Sequence, residues 1–168
     1  MPGTMVASPI GTLHVTADGN GRLVSIDIGA NGTATDADAS HGSVSAVLEP
    51  TVSALLRYFE GELGAIDDLE VAPQRGTDFQ RSVWEALRTI PTGETMSYAE
   101  LAVAVGRPMS FRAVGSANGA NPIPIVVPCH RVVNTDGGLG GYAYGLDMKR
   151  WLLSHEGALA SNALPGID

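Results

Sequence analysis

Residues 122–133 read Pro-Ile-Pro-Ile-Val-Val-Pro-Cys-His-Arg-Val-Val, and they contain the only cysteine of the 168-residue chain. The three prolines, Pro122, Pro124 and Pro128, each fix a φ angle and lack a backbone N–H, so the run cannot be an ordinary central strand. We therefore predict a pinned, extended segment that aims the thiol of Cys129. The alternative is a small core residue, which is the usual role of a free cysteine and the one that composition alone favours.

Length and composition are those of an ordinary globular protein, with one domain or two small lobes. Of the 168 residues, 44% are hydrophobic and 17% are charged. No apolar run approaches the roughly 20 residues that span a bilayer, and residues 1–4 lack the basic region of a signal peptide. A single cysteine excludes an internal disulfide and fits a reducing compartment. We therefore expect a cytoplasmic protein that does not associate with membranes.

The formal net charge of −8 is concentrated in the first half of the chain. Residues 1–73 contain two basic and ten acidic residues, whereas residues 74–157 contain eight basic and seven acidic residues. Phosphate binding normally requires a basic surface, so the overall charge argues against a nucleic-acid partner. The second half, considered alone, can meet DNA, and the first half would be held away from it.

The first half predicts a β-hairpin, a loop and a helix. Apolar residues alternate on both sides of the turn sequence Asp18-Gly19-Asn20-Gly21, at Leu13, Val15 and Ala17 and at Val24, Ile26 and Ile28. Residues 29–45 are small and polar without periodicity, which predicts a mobile loop. A helical stripe then comprises Val52, Leu55, Leu56 and Phe59, and a short strand passes through Leu69 and Val71. Nothing in this half resembles a site, so we expect a scaffold.

The second half predicts a helix-turn-helix. One helix begins at Thr77 and carries Phe79, Val83, Leu87 and Ile90 on one face. Ser97 and Glu100 form a capping box for a helix that ends near Gly106, and a further helix runs from about Ser110 to Asn118. Two short helices joined by a tight glycine-containing turn are typical of this motif, although most helical hairpins bind nothing. The last of these helices is rich in alanine, glycine and serine, so it can lie close against another surface.

Two features follow the cysteine segment. Residues 136–145 are glycine-rich, which is typical either of a flexible loop or of a wall where backbone approaches a ligand closely. The last helix carries Met148, Trp151, Leu152 and His155, and Glu156 lies in its final turn. The helix macrodipole disfavours an acid there by about 0.3–1 kcal/mol. Either Glu156 is a solvated helix-end residue, or it has a partner, for which a histidine is the obvious candidate.

Cys129, His130 and Glu156 together suggest a nucleophile, its base and a carboxylate that orients the base. A cysteine with a pKa of about 8.5 is only slightly ionised at neutral pH, so it needs a base to react. Adjacent residues on a strand face opposite sides, so His130 can serve Cys129 only if Pro128 forces a turn or a water bridges them. This pattern alone does not distinguish acyl transfer from alkyl transfer.

Pro128-Cys129-His130-Arg131-Val132, preceded by Asn121-Pro122-Ile123-Pro124 and by Arg112-Ala113-Val114-Gly115, resembles the signature of O6-alkylguanine-DNA alkyltransferases, also called methylated-DNA-protein-cysteine methyltransferases. Further matches are Gly76-Thr77-Asp78-Phe79-Gln80, Ile90-Pro91, Ser97-Tyr98, Gly140-Gly141-Tyr142 and Leu152-Leu153-Ser154-His155-Glu156-Gly157. Residues 74–157 are closely similar to the family, and residues 1–73 only loosely. The resemblance implies an α/β (α+β) fold. In it, a small ribonuclease-H-like N-terminal lobe, residues 1–73, packs on a mostly helical C-terminal lobe, residues 74–168, that carries the helix-turn-helix.

The family resemblance also implies a function, which is DNA repair by direct reversal of damage. An alkyl group would pass from O6-alkylguanine, and less well from O4-alkylthymine, to Cys129 in an irreversible reaction that each molecule performs once. No cofactor is implied. Some relatives hold a structural zinc in the first lobe, but His14 and His41 cannot complete such a site without further cysteines, so we predict no metal.

The resemblance assigns roles to individual residues. Cys129 would accept the alkyl group, with His130 as its water-bridged base and Glu156 as the partner of that histidine. Tyr98 would donate a hydrogen bond or proton to the departing guanine, and Asn121 would brace the active-site turn. The implied substrate-binding residues are Pro124, Val132, Gly140, Tyr142 and Ala143. The implied DNA-binding residues are Ser97, Tyr98, Phe111, Arg112, Ala113 and Asn118.

Arg112 has a particular role among the implied DNA-binding residues, since it would fill the space of a nucleotide flipped out of the duplex. The implied partner is double-stranded DNA, bound through the minor groove by a monomer, with cooperativity on DNA left open. Two residues depart from the family pattern. Ala143 stands where some relatives have serine, and Phe111 stands where small residues are common.

Two other functions are compatible with part of the pattern. A binding module could recognise alkylated DNA without transferring anything, although the presence of Cys129 argues against that class. A cysteine hydrolase could use Cys129, His130 and Glu156. That function would leave the helix-turn-helix and Arg112 unexplained.

Overall fold

The computed structural model describes residues 1–29 and 45–159. The loop predicted over 29–45 lies almost wholly outside these described residues. The chain forms two compact units, of which the first contains the described residues of Met1–Gln74 together with Pro122–Val126. The second contains Arg75–Asn121 and the described residues from Val127 onward. Residues 122–126 belong to the first unit because the Ile26 N–H donates to the Pro122 carbonyl at 2.9 Å.

An antiparallel three-stranded sheet lies in the first unit. Its strands β1 (Gly3–Ser8), β2 (Gly11–Ala17) and β3 (Leu23–Gly29) are arranged in that order. The predicted hairpin is confirmed, since β2 and β3 flank a turn in which Asp18 Oδ1 accepts the N–H groups of Asn20 and Arg22 at 2.9 and 3.0 Å. Strand β1 has no counterpart in the prediction, because Val6 is its only buried residue and the strand lacks apolar alternation.

Helix α1 (Glu49–Phe59) buries a different face from the predicted one. Its buried residues are Thr51, Ala54, Leu55 and Tyr58, whereas Leu56 of the predicted stripe is 44% exposed. Both stripes have the spacing of a helical face, so periodicity cannot choose between them, and the packing partner decides. The predicted strand near Leu69 is also wrong, since only Val71 forms an isolated parallel bridge, to Leu23.

Helices are the main regular elements of the second unit. Within its described residues they are α2 (Asp78–Leu87), α3 (Tyr98–Ala104), α4 (Phe111–Gly119) and α5 (Leu146–His155). The predicted capping box of Ser97 and Glu100 is confirmed at the start of α3. Trp84 on α2 donates its indole N–H to the Ala117 carbonyl on α4 at 2.8 Å. This buried bond fixes α4, the second helix of the helix-turn-helix, against α2.

Two predicted helical faces of this unit need correction. Helix α2 ends at Leu87, so Ile90 is buried in the segment beyond the helix. Helix α5 buries Leu153 and Lys149 together with Leu152, whereas Trp151 and His155 of the predicted face are half-buried and stack on each other. A fully buried lysine breaks the apolar pattern, which is why the pattern indicated the wrong face.

A short parallel ladder brings two distant parts of the second unit together. Strand β4 (Met96–Ser97) pairs with β5 (Val132–Val133). Because Tyr98 directly follows β4 and Cys129 lies three residues before β5, the ladder sets the start of α3 beside the cysteine turn. A two-residue strand is too short to show periodicity, so the sequence did not predict this pairing.

No helix among residues 1–29 and 45–159 combines the length and the apolar character that crossing a bilayer requires. The same residues contain no group of three or more His, Cys, Asp or Glu side chains arranged to hold a metal ion. His41 lies outside the described residues, and the absence of a metal stays a prediction.

Candidate active site

Two consecutive tight turns, rather than an extended segment, lead into Cys129. The Val126 N–H donates to the Pro124 carbonyl at 2.9 Å across Ile125, and the Cys129 N–H donates to the Val127 carbonyl at 2.8 Å across Pro128. The extended segment predicted from the prolines is therefore wrong. Pro128, at φ −83° and ψ 66°, forces the turn, and residues Cys129–Arg131 continue as one turn of 3-10 helix.

Ile125 is the one non-glycine residue with a positive φ in the described chain, at 76°, and it is fully buried. A β-branched residue is strained in this region by about 1–3 kcal/mol. The hydrogen bond across Ile125 and the fixed φ of the preceding Pro124 hold this conformation.

Asn121 braces the cysteine turn from the preceding segment. Its Nδ2 donates to the Val127 carbonyl at 2.7 Å, and its side chain also hydrogen-bonds the thiol of Cys129. Cys129 is 7% exposed, and burial raises the pKa of its thiol to about 11, against the hydrogen bond from Asn121. The thiol is therefore neutral near pH 7 and needs a base before it can act as a nucleophile.

His130 and Glu156 are hydrogen-bonded inside the unit, 2.9 Å apart between Nε2 and Oε2, and both side chains are inaccessible to solvent. The pKa of Glu156 falls to about 2 because its hydrogen bonds and charge interactions with His130 and Arg131 outweigh burial. Burial lowers the pKa of His130. The imidazole is therefore neutral near pH 7, and its Nε2 must carry the proton that the carboxylate accepts.

The other ring nitrogen of His130 is left as an acceptor. Nδ1 is buried and has no hydrogen-bond partner among the described residues. Because the proton is on Nε2, Nδ1 has a lone pair available to take a proton from a thiol or from a bridging water. The carboxylate behind it can stabilise the imidazolium that would result.

Arg131 completes this cluster, and sequence reasoning assigned it no role. Its Nε donates to Glu156 Oε1 at 2.8 Å and its Nη2 to Oε2 at 3.0 Å, the two-pronged geometry that guanidinium and carboxylate groups favour. Its Nη1 donates to the Ile90 carbonyl at 2.7 Å, and Nη2 also reaches Thr92 Oγ1 at 3.2 Å. A buried carboxylate beside a neutral histidine needs a cation. Arg131, directly after His130 in the cysteine motif, was the residue from which the sequence could have predicted that cation.

Lys149 is a second site residue that the sequence did not single out. Its side chain is fully buried, and Nζ donates to the carbonyls of Val132 at 2.6 Å, Gly141 at 3.0 Å and Leu139. These bonds tie the strand after the cysteine turn to the glycine-rich loop. Burial lowers the pKa of Lys149 to about 8, while the neighbouring Cys129 raises it. A buried ammonium needs hydrogen-bond acceptors, and these three carbonyls supply them.

Tyr98 lies between α4 and the glycine-rich loop. A Cβ atom on Gly140 would come within 3.0 Å of the Tyr98 ring and 3.3 Å of its hydroxyl, and a Cβ on Gly115 would be 3.9 Å from the ring. Position 140 therefore requires glycine for two reasons, which are its backbone φ of +73° and the Tyr98 ring beside it. Burial raises the pKa of Tyr98, and the nearby Cys129 adds to this rise. The phenol stays protonated near pH 7 and can donate.

The other predicted substrate-binding residues, Val132, Tyr142, Ala143 and Pro124, differ in their contacts and in their exposure to solvent. The Val132 carbonyl is bound by Lys149 and keeps a second lone pair. The Tyr142 ring lies 5.9 Å from that of Tyr144, and Ala143 is exposed. Pro124 is buried within the first unit, and its contact with a substrate stays a prediction.

The exposed side of α4 borders a cleft of about 590 Å³. The residues that line it are Tyr98, Ala99, Phe111, Arg112, Gly115, Asn134 and Thr135. Phe111, Arg112 and Ala113 are exposed, as a DNA-contacting role requires. Ser97 is half-buried and uses its hydroxyl oxygen to accept the Glu100 N–H at 3.0 Å.

Asn118 is a predicted DNA-binding residue that is buried in this structure, and its contact with DNA stays a prediction. It is 4% exposed and points inward, where its Nδ2 lies 3.4 Å from the Cys129 carbonyl. Asn118 follows the buried Val114 by four residues and the buried Ala117 by one, and this spacing sets it on the packed side of the helix. Because the residues of α4 are mostly small or polar, the sequence has no apolar periodicity that would have predicted that Asn118 faces inward.

Two family models match the chain. The one described as the 6-O-methylguanine DNA methyltransferase ribonuclease-like domain matches residues 3–73, and the one described as the DNA binding domain of the same enzyme matches residues 78–158. The chain belongs to the 6-O-methylguanine DNA methyltransferase family. The mixed α/β fold predicted from the sequence is confirmed by this match and by similar solved structures.

Relatives within the 6-O-methylguanine DNA methyltransferase family match more than half of this chain. A methylated-DNA--protein-cysteine methyltransferase of Salmonella typhimurium is 60% identical over 105 residues, which cover 62% of this chain and 61% of the relative. A protein of the same description from Mycobacterium bovis is 52% identical over 118 residues, 70% of each chain. The chain thus spans 61% of the length of the Salmonella relative.

Solved structures of the family are similar over nearly the whole chain. The crystal structure of Mycobacterium tuberculosis O6-methylguanine methyltransferase has a TM-score of 0.77 and 41% identity, and the match covers 95% of this chain and 94% of that one. The Mycobacterium tuberculosis protein OGT in complex with DNA also has a TM-score of 0.77 and 41% identity, with 98% and 95% covered.

Proposed function

We propose that this protein repairs DNA by transferring the alkyl group of O6-alkylguanine, and less well of O4-alkylthymine, irreversibly to Cys129. The observation that carries the proposal is the buried cluster of Cys129, His130 and Glu156, in which the histidine is neutral and its Nδ1 has no partner among the described residues. Family membership supports the same activity. The cluster supplies a nucleophile, a base and an anion for the charged base.

In the proposed transfer, the alkyl carbon exchanges its bond to O6 of guanine for a bond to the sulfur of Cys129. The thiol proton of Cys129 passes, through a water, to His130 Nδ1, and Glu156 stabilises the imidazolium. The sulfur then attacks the alkyl carbon, forming an S–C bond as the bond between that carbon and O6 breaks. Tyr98 donates its proton to the leaving guanine and regains one from His130 through solvent, so the thiol proton ends on the guanine.

The product explains why the protein acts once. A thioether is a poor leaving group, and the chain has no second cysteine to displace it. The alkylated protein is therefore an end state, and the molecule is consumed as a reagent.

DNA would be bound through α4 by a monomer, in the minor groove. The exposed face of α4 is small apart from Phe111 and Arg112, so the helix can approach the groove closely. The alkylated base cannot be reached inside the stack, so it must be flipped out, and the exposed Arg112 beside the 590 Å³ cleft would fill the vacated space. The cytoplasmic location expected from the sequence stays a prediction.

Mass spectrometry after incubation with an oligonucleotide containing O6-methylguanine tests the function. We expect one methyl group on the peptide that contains Cys129, one repaired guanine per protein molecule, and no mass change in Cys129→Ala, which should still bind the oligonucleotide. Binding without any mass change in the unmodified protein would favour the recognition module. Multiple turnover without loss of active protein would favour a hydrolase.

Replacing Arg112 with alanine should separate base flipping from chemistry. Flipping costs a few kcal/mol and is not needed for a free base, so we expect transfer from duplex to slow by about tenfold or more and transfer from free O6-methylguanine to be nearly unchanged. Single-turnover rates on both substrates are the measurement. Arg150→Ala is the matched control, because Arg150 pairs with Asp147 at 2.7 Å on α5 and does not line the cleft. Equal defects on the two substrates would refute the role given to Arg112.

A further inference from the structure

Asn118 is the buried polar residue of α4, and the two polar atoms of its side-chain amide differ in their hydrogen bonding. Its Nδ2 faces the Cys129 carbonyl at 3.4 Å. Its Oδ1 is buried and has no hydrogen-bond partner among the described residues. A buried acceptor without a donor is unfavourable and uncommon, so the orientation of this amide requires an explanation.

The Tyr98 hydroxyl provides that explanation. Its oxygen is hydrogen-bonded by the Asn118 side chain and by the Gly141 backbone N–H, and both bonds lower the pKa of the phenol against the effect of burial. The reversed amide would give Oδ1 a donor in the phenol O–H, but it would set Oδ1 against the Cys129 carbonyl, which is also an acceptor. The Cys129 carbonyl therefore holds the amide with its N–H groups toward Tyr98.

The two donors to the Tyr98 hydroxyl oxygen determine the direction in which the hydroxyl can donate its own proton. With its lone pairs engaged by Asn118 and Gly141, the hydroxyl can direct its own proton only away from them. The ring of Tyr98 lines the cleft beside Arg112, so that proton is available to a base held there. The same two donors stabilise the phenolate once the proton has left.

We propose that Asn118 is a positioning residue for the proton transfer to the leaving guanine, acting through Tyr98 and anchored by the Cys129 carbonyl. The inference rests on the proposed function for its reaction. In the step concerned, the Tyr98 O–H bond breaks, an N–H bond forms on the guanine as its bond to the alkyl carbon breaks, and the phenolate remains between Asn118 and Gly141. One side chain thus links the backbone of the nucleophile to the group that protonates the leaving base.

Tyrosinate absorbance measured during a pH titration tests the hydrogen bond without any substrate. The Tyr98 signal is the difference between the unmodified protein and Tyr98→Phe. Asn118→Leu removes both N–H donors, so we expect the pKa of Tyr98 to rise by about one unit. Asn118→Asp keeps the shape of the side chain but introduces an anion. This anion and the Cys129 thiolate both repel the Tyr98 phenolate, so the pKa of Tyr98 should rise by more in this variant. An unchanged Tyr98 titration in both variants would overturn the proposal.

Single-turnover transfer from free O6-methylguanine tests the catalytic consequence. We expect Asn118→Leu to be about tenfold slower than the unmodified protein, and the same substitution to have little effect in a Tyr98→Phe background. An equal defect in both backgrounds would show that Asn118 only supports packing. If the unmodified protein takes up no methyl group, the proposed function fails, whereas the titration still decides whether Asn118 acts on Tyr98.

Discussion

Replacing Glu156 with glutamine should slow alkyl transfer by about 100-fold, because the imidazolium of His130 loses the anion that stabilises it. It should also destabilise the fold by about 3–5 kcal/mol, since the guanidinium of Arg131 would remain buried without its carboxylate. Urea unfolding and single-turnover transfer measure the two effects separately. Both side chains that bind Glu156 do so at 2.8–3.0 Å with almost no solvent access, so screening is slight.

The pH dependence of the same variant has a defined sign. Glu156 has its pKa lowered to about 2, below its ordinary value of 4.5. The unfolded state therefore binds more protons between these values, and the stability that Glu156 contributes is lost as pH falls through this window. Glu156→Gln should lack that acid-side loss. Because Glu156 also raises the pKa of His130, the acid limb of the transfer rate should move to lower pH in the variant.

Arg131→Met combined with Glu156→Gln is the matched control. The double variant removes both buried charges, so it should recover much of the stability that Glu156→Gln loses. Its transfer rate should stay low, because the imidazolium still lacks an anion. Recovery of the rate together with the stability would mean that Glu156 serves only the fold.

Replacing Lys149 with methionine should slow transfer by at least about 100-fold, since the glycine-rich loop would no longer be held at the strand that follows Cys129. The carbonyls of Val132, Leu139 and Gly141 would lose their shared donor, and each buried acceptor left alone costs about 1–3 kcal/mol. Urea unfolding and single-turnover transfer are again the measurements. Lys149→Arg keeps the charge, but its planar fork does not converge on three carbonyls, so it should restore little.

The stability of Lys149→Met should also differ in its pH dependence. Burial lowers the pKa of Lys149 to about 8 from its ordinary value of 10.5. Between these values Lys149 binds more protons in the unfolded state, so its own contribution to stability should rise with pH across this window, whereas the raised pKa of the Cys129 thiol makes a contribution of the opposite sign. The methionine variant should lack that rise. An unchanged stability and rate in Lys149→Met would contradict the role inferred from the three carbonyl contacts.

The sequence alone determined the features that depend on near neighbours in the chain. The hairpin around Asp18 and the capping box of Ser97 and Glu100 follow from local hydrogen bonds. The cysteine motif identified the family because its residues are contiguous. Because neighbouring residues of a strand face opposite sides, the sequence allowed His130 to serve Cys129 only through a turn at Pro128 or a bridging water, and the structure contains the turn.

Tertiary structure alone decided that three further polar side chains are buried at the site. Arg131, Lys149 and Asn118 are each almost fully buried, yet on sequence each is typical of a surface. Their partners are backbone carbonyls, a phenol and a carboxylate from segments up to 41 residues away. A buried polar group is stable only where such partners converge on it, and that convergence depends on how the helices and loops pack rather than on the residues beside it in the chain.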